Sequence, residues 1–218
     1  MSQKRLSKKK AFKKRRLGIP PKRKFGPLYR VPFRRRREQK TDYQQRKRLL
    51  KSGLIRATIR PSNKSILVQF IRSKIGGDQT IIEARSVELK EFGWDIATSN
   101  LPSAYLTGYL AGKKALKSNL EDAILDIGTF EALPGTRMFA ALKGIADAGI
   151  EIPFNDKMVP DETRIKGDHI ASYGKILAED DKEKYKRFFA KYLVVKKKPE
   201  DTPKYFASAK DKIDAKLK

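Results

Sequence analysis

The chain has 218 residues, no cysteine and a formal net charge of +26 at pH 7. That length suffices for one well-buried core plus tails. The missing thiols exclude disulfides and thiolate metal sites, and the charge points to a polyanionic partner.

The charge is concentrated at one end. Residues 1–60 carry 24 Lys and Arg against two acids, residues 61–178 carry 14 against 15, and residues 179–218 carry 13 against 8. A near-neutral body therefore bears a very basic leading arm and a mildly basic tail. The most apolar charge-free stretch, 101–112, is too short to span a bilayer. No membrane association, cofactor or self-assembly is expected.

Residues 1–40 are expected to be an extended basic arm, disordered when free. Clusters of Lys and Arg repel one another there, and Pro20, Pro21, Pro27 and Pro32 interrupt any helix. A body over 41–178 begins at Thr41, which with Gln44 has capping-box spacing, and Gly53 supplies a stop. On this helix Tyr43, Leu50 and Leu49 are expected to face inward, with Gln44, Lys47, Arg48 and Lys51 outward. Ile55, Ala57 and Ile59 then alternate with Arg56, Thr58 and Arg60, the pattern of a strand with a basic row on one face.

Pro61-Ser62-Asn63-Lys64 is turn chemistry, followed by expected strands at 66–71 and 80–84. Beyond them the pattern becomes helix at 102–117, strand at 123–127 and helix at 136–148. A small-residue strip of Gly108, Gly112 and Ala115 would let the first of these helices approach a sheet. Asp161 is expected to cap a further helix running through Ile165, Ile170, Tyr173 and Leu177. Residues 179–218 are expected to be a helical, mildly basic extension: a last helical stretch around Tyr185 to Tyr192, then a polar Lys-rich tail. The whole reads as a single α/β domain with a small mixed sheet and helices mainly on one face.

The chemistry concentrates in residues 29–64. Lys and Arg neutralise phosphates and release counterions, and Arg adds bidentate contacts and stacking. Phe25, Tyr29, Phe33 and Tyr43, set among these charges, offer surfaces for unpaired bases, which RNA presents more often than duplex DNA. The expected RNA contacts are Tyr29, Arg30, Phe33, Arg34, Arg35, Arg36, Arg37, Lys40, Tyr43, Arg46, Lys47, Arg48, Lys51, Arg56, Arg60, Ser62, Asn63 and Lys64. Arg137, beside an expected helix start, and His169, the single histidine, complete the set.

Two other readings fit part of the pattern. A metal-dependent RNA nuclease would use carboxylates among Asp122, Asp126, Asp147, Asp156 and Asp168. Asp126, set among Ile124, Leu125 and Ile127, is better explained by a hydrogen bond to a loop amide. A basic duplex-DNA binder would need base-reading side chains on its basic helix, where long cations predominate instead.

Ordered blocks strengthen the RNA reading. They include Tyr29-Arg30-Val31-Pro32-Phe33, Leu49-Leu50-Lys51-Ser52-Gly53, Arg60-Pro61-Ser62-Asn63-Lys64, Leu125-Asp126-Ile127-Gly128, Pro134-Gly135-Thr136-Arg137 and Gly167-Asp168-His169-Ile170. Across roughly 27–178 the chain closely resembles the archaeal and eukaryotic form of large-subunit ribosomal protein eighteen. The resemblance implies a noncatalytic constituent of the ribosome's central protuberance. It would bind 5S ribosomal RNA, touch the large-subunit ribosomal RNA and sit near large-subunit ribosomal protein five.

Overall fold

A computed structural model describes residues 30–217. A single helical turn, α1 (Arg34–Arg37), precedes helix α2 (Tyr43–Lys51). Asp42, not Thr41, caps α2, its carboxylate accepting from the Gln44 and Gln45 amides at 3.1 and 3.2 Å. The stop is as expected: Gly53 takes a φ of 73°, a left-handed conformation that glycine adopts without strain.

Three strands follow, β1 (Arg56–Pro61), β2 (Ile66–Lys74) and β3 (Gly77–Arg85), joined as antiparallel neighbours. The chain then forms helix α3 (Leu101–Lys117), the short strand β4 (Ile124–Asp126) and helix α4 (Arg137–Asp147). Strand β4 lies parallel to β1, giving a mixed sheet of order β3-β2-β1-β4. The fold class read from the sequence is the one observed.

Helices α3 and α4 cover one sheet face. Ala57, Ile59, Ile66, Val68, Phe70 and Ala84 point into that layer and are at most 1% exposed. The small-residue strip serves a different contact from the one expected. Gly108 and Gly112 bring α3 against α4 rather than against the sheet. A Cβ on Gly108 would overlap the Ala141 carbonyl, and one on Gly144 the Tyr105 carbonyl, so the two backbones touch directly.

The region after Asp161, which holds the N-cap position without a side-chain capping bond, is two helices, α5 (Glu162–Lys166) and α6 (Asp168–Asp180), broken at Gly167 with φ 92°. Helices α7 (Lys182–Phe188) and α8 (Ala190–Val194) lead to α9 (Thr202–Lys216). The expected polar tail is thus partly wrong. Phe206, Ala209 and Ile213 of α9 are buried against the body, and the Tyr109 hydroxyl donates to Asp214 at 2.7 Å. Their apolar spacing was hidden by the six charged residues of the same helix, Lys204, Lys210, Asp211, Lys212, Asp214 and Lys216, which fall away from the apolar stripe.

Candidate nucleic-acid interface

The outer face of the sheet, opposite α3 and α4, is partly roofed by α1, α2 and the loop 126–130. A cleft of about 750 Å³ lies between roof and sheet, lined by residues including Arg35, Lys40, Tyr43, Arg46, Arg56, Thr58, Arg60 and Phe130. The expected site residues of the arm, the helix and the first strand therefore converge on one place. Tyr29 lies outside the described residues. Arg30 and Phe33 are exposed, and Phe33 tilts against the Tyr43 ring at 5.5 Å.

Helix α2 presents Gln44, Lys47, Arg48 and Lys51 to solvent, the outward face that its spacing predicts. Its inner side is not the expected apolar anchor, because no residue of α2 is buried and Leu50 is 40% exposed. Ion pairing contributes to holding the helix in place. Arg46 makes a two-pronged contact to Asp78 at the β2–β3 hairpin, at 2.7 and 2.8 Å. Asp78 also accepts from Ser73 and Arg56, each at 2.8 Å. These donors, Arg46 first, hold its carboxyl well below the usual carboxylate range.

Arg56 departs from the expected solvent-facing row. It is 3% exposed and its guanidinium binds Asp126 and Asp78, both at 2.8 Å. Thr58 is also buried, and of the alternating trio only Arg60 reaches solvent. The reason is topological: β1 is an interior strand, and α1, α2 and the loop 126–130 partly roof its second face. Alternation alone describes a strand with one wet face. Asp126 makes the hydrogen bond expected of it, accepting from the Gly128 amide at 2.9 Å, and the Arg56 pair is the part that spacing did not reveal.

The remaining candidates divide. Lys64 and Asn63 are exposed at the β1–β2 turn, where Ser62 closes the turn through Ser65. Arg137 donates to the Ser62 and Ser99 carbonyls at 2.9 Å each, fastening this turn to the start of α4. His169 is exposed on α6. Burial and nearby Arg164 lower its pKa, and no residue beyond Phe130 lines the main cleft. Arg34, Arg35, Arg36 and Arg37 crown the arm, where Arg35 donates to Thr41 and Lys40 pairs with Glu38, both at 2.8 Å. Among the described residues, Lys47, Arg48, Lys51, Arg60 and Lys64 have no acidic partner within ion-pair distance.

Spacing had not singled out Asp78 or Phe130, and it placed Thr58 on an outward strand face rather than in a cleft. Gly76-Gly77-Asp78 has turn chemistry, but nothing local says that its acid reaches back to α2. Among the described residues no group of three or more His, Asp or Glu side chains is placed to hold a metal ion.

A cationic helix and turn carried on a small α/β body define a class of proteins that meet a polyanion through an exposed basic face. The family model described as "Ribosomal large subunit proteins 60S L5, and 50S L18" matches residues 28–123, which include α1, α2 and strands β1 to β3 but stop short of β4 and the loop 126–130. The chain is 44% identical to the large ribosomal subunit protein uL18 of Methanothermobacter thermautotrophicus, over 87% of this chain and 97% of that one. It is 46% identical to that of Aeropyrum pernix, over 87% and 89%, and 47% identical to that of Korarchaeum cryptofilum, over 86% and 95%. The chain belongs to the uL18 family, structural proteins of the large ribosomal subunit and not enzymes.

Proposed function

We propose that the chain binds 5S ribosomal RNA and ties it to the large-subunit ribosomal RNA in the central protuberance, beside large-subunit ribosomal protein five. The observation that carries this reading is the outward face of α2. Gln44, Lys47, Arg48 and Lys51 form one exposed row at helical spacing, and the three cations have no acidic partner among the described residues. Cations already neutralised by acids would release few counterions, whereas unpaired ones release them on meeting phosphate. The row consists of long, flexible side chains without a base-reading amide pair beyond Gln44 and Gln45, so it positions folded RNA by its backbone and shape. Arg30, Arg34 to Arg37, Arg60 and Lys64 extend the same positive surface along the arm and the turn.

Equilibrium binding of the full chain to 5S ribosomal RNA at about 0.2–0.3 M salt tests the proposal, since nonspecific phosphate contacts weaken strongly there. Transfer RNA and duplex DNA serve as competitors. Binding is expected to survive both. Replacing Lys47, Arg48 and Lys51 together by Ala should weaken it and flatten its salt dependence by about one unit of log–log slope per lost contact. Affinity that falls equally onto all three nucleic acids would refute a 5S-specific role.

A further inference from the structure

We propose that the cleft beneath α2 receives one unpaired nucleotide of the bound RNA, with its base on the sheet and its phosphate at the rim. This rests on the RNA-binding reading above and adds to it a site of defined chemistry. The cleft's size, about 750 Å³, is within the roughly 300–1,000 Å³ of small-ligand sites.

Its floor holds the observation that points to a ligand. Arg56 and Thr58 are 3% and 6% exposed, and their side chains share one face of β1 at positions i and i+2. Among the described residues, the Arg56 Nε and the Thr58 Oγ1 are both buried without a hydrogen-bond partner. Buried polar groups are nearly always paired, and an unpaired one is costly. Here two such atoms belong to residues that line one cleft from the same strand face. Nε–H can only donate, while the hydroxyl can donate or accept. Together they match a base edge that carries an acceptor beside a second polar atom, a feature that purines and pyrimidines share. The site would therefore hold a base without dictating which one.

Charge sets the orientation. Asp126 lies on the floor and the exposed Asp78 lines the side of the β2–β3 hairpin, and Arg46, Arg56, Ser73 and the Gly128 amide occupy their oxygens. A phosphate on that side would face those two carboxylates. Beside the exposed Arg35, Lys40 and Arg60 of the lining it meets cations instead. Tyr43 and Phe130 contribute aromatic rings to the lining, and an extruded base gains by stacking on such surfaces.

The test uses the full chain with 5S ribosomal RNA at about 0.2–0.3 M salt, and two variants. Thr58→Val keeps the shape and removes the hydroxyl; Thr129→Trp places a bulky ring in the lining. Base edges are probed with dimethyl sulfate and carbodiimide, and the backbone with hydroxyl radicals. In the wild-type complex one unpaired nucleotide should be protected at its base edge. Both variants should expose that base while the backbone footprint stays, and Thr58→Val should bind roughly threefold to tenfold more weakly, the loss of one hydrogen bond. Thr58→Val should also leave the free protein as stable or more so, which a purely structural hydroxyl would not do. Specific wild-type binding with unchanged protection and affinity in both variants would overturn the nucleotide site alone. A wild-type chain that does not prefer 5S ribosomal RNA to transfer RNA would overturn the RNA reading and the site with it.

Discussion

Arg56 concentrates the energetic logic of the site in one side chain. A guanidinium at 3% exposure survives because Asp126 and Asp78 each meet it at 2.8 Å. Removing it leaves Asp126 buried beside only one amide donor. Arg56→Met should therefore lower stability by about 3–5 kcal/mol, as expected when one member of a buried pair is deleted. Adding Asp126→Leu should recover much of that loss, because the stranded charge goes with it; urea midpoints of the single and double variants make the comparison. Asp78 gives the network a pH dependence. Its folded pKa is depressed, chiefly by Arg46, so its contribution is fully present above the ordinary carboxylate pKa of about 4. That contribution fades as pH falls below this ordinary value toward the depressed folded one. The stability gap between wild type and Asp78→Asn should narrow across the accessible part of that range, and a constant gap would show that Asp78 does not carry the acid response. The sequence flagged Asp126 as an acid needing an explanation but offered no sign of its arginine partner. The pairing Arg56 to Asp126 spans 70 positions, and such contacts leave no trace in local spacing.

Among the elements, the pair α3 and α4 is the most demanding. Their backbones meet at Gly108, Gly112 and Gly144, so the groove admits no side chain. Gly144→Ala should cost at least about 1–3 kcal/mol, the range for overpacking, because the obstructing atoms are the Tyr105 carbonyl and the Tyr109 amide rather than a movable side chain. Gly76→Ala, where nothing lies within 4 Å, should stay within about 0.5 kcal/mol by the same chemical-denaturation measurement. The helical periods over 102–117 and 136–148 were plain in the sequence, as was the strip of small residues. What the strip packs against was not. A period shows which face is small but not whether a sheet or a helix will fill it, and Gly144, the partner glycine, sits alone in its own helix. Helix α2 is the converse case. Its polar face was read correctly and its apolar anchor was not, since ion pairing to a distant hairpin replaces burial.

For the whole molecule, the sheet topology decides where the cationic residues end up. Parallel addition of β4 makes β1 an interior strand, and α1 and α2 lie over its far face, so Arg56 and Thr58, which alternation placed in solvent, become the floor of a cleft. The last helix is equally part of the body. Ending the chain at residue 198 would strip Phe206, Ala209 and Ile213 from α3 and leave the Tyr105 and Tyr109 rings uncovered. Phe206 and Ile213 each contribute on the order of 1.5–3 kcal/mol when buried, against a typical total of about 5–15 kcal/mol. The shortened chain should lose its cooperative thermal transition in calorimetry. An unchanged transition temperature would mean that α9 is an ornament on an independent body.

The seating of α9 also has a temporal side. Tyr109 and Asp214, joined at 2.7 Å, are 105 positions apart along the chain. During synthesis the N-terminal end emerges first, and domains close as units once their pieces are present. The basic segment is thus made well before the body can seal itself. For that interval the nascent protein carries its strongest polyanion attraction on an unfinished scaffold, amid a cell full of RNA. On the 5S role proposed above, selectivity must then come late, when the finished body fixes α2 and the turn in register, and early encounters must be loose enough to reverse.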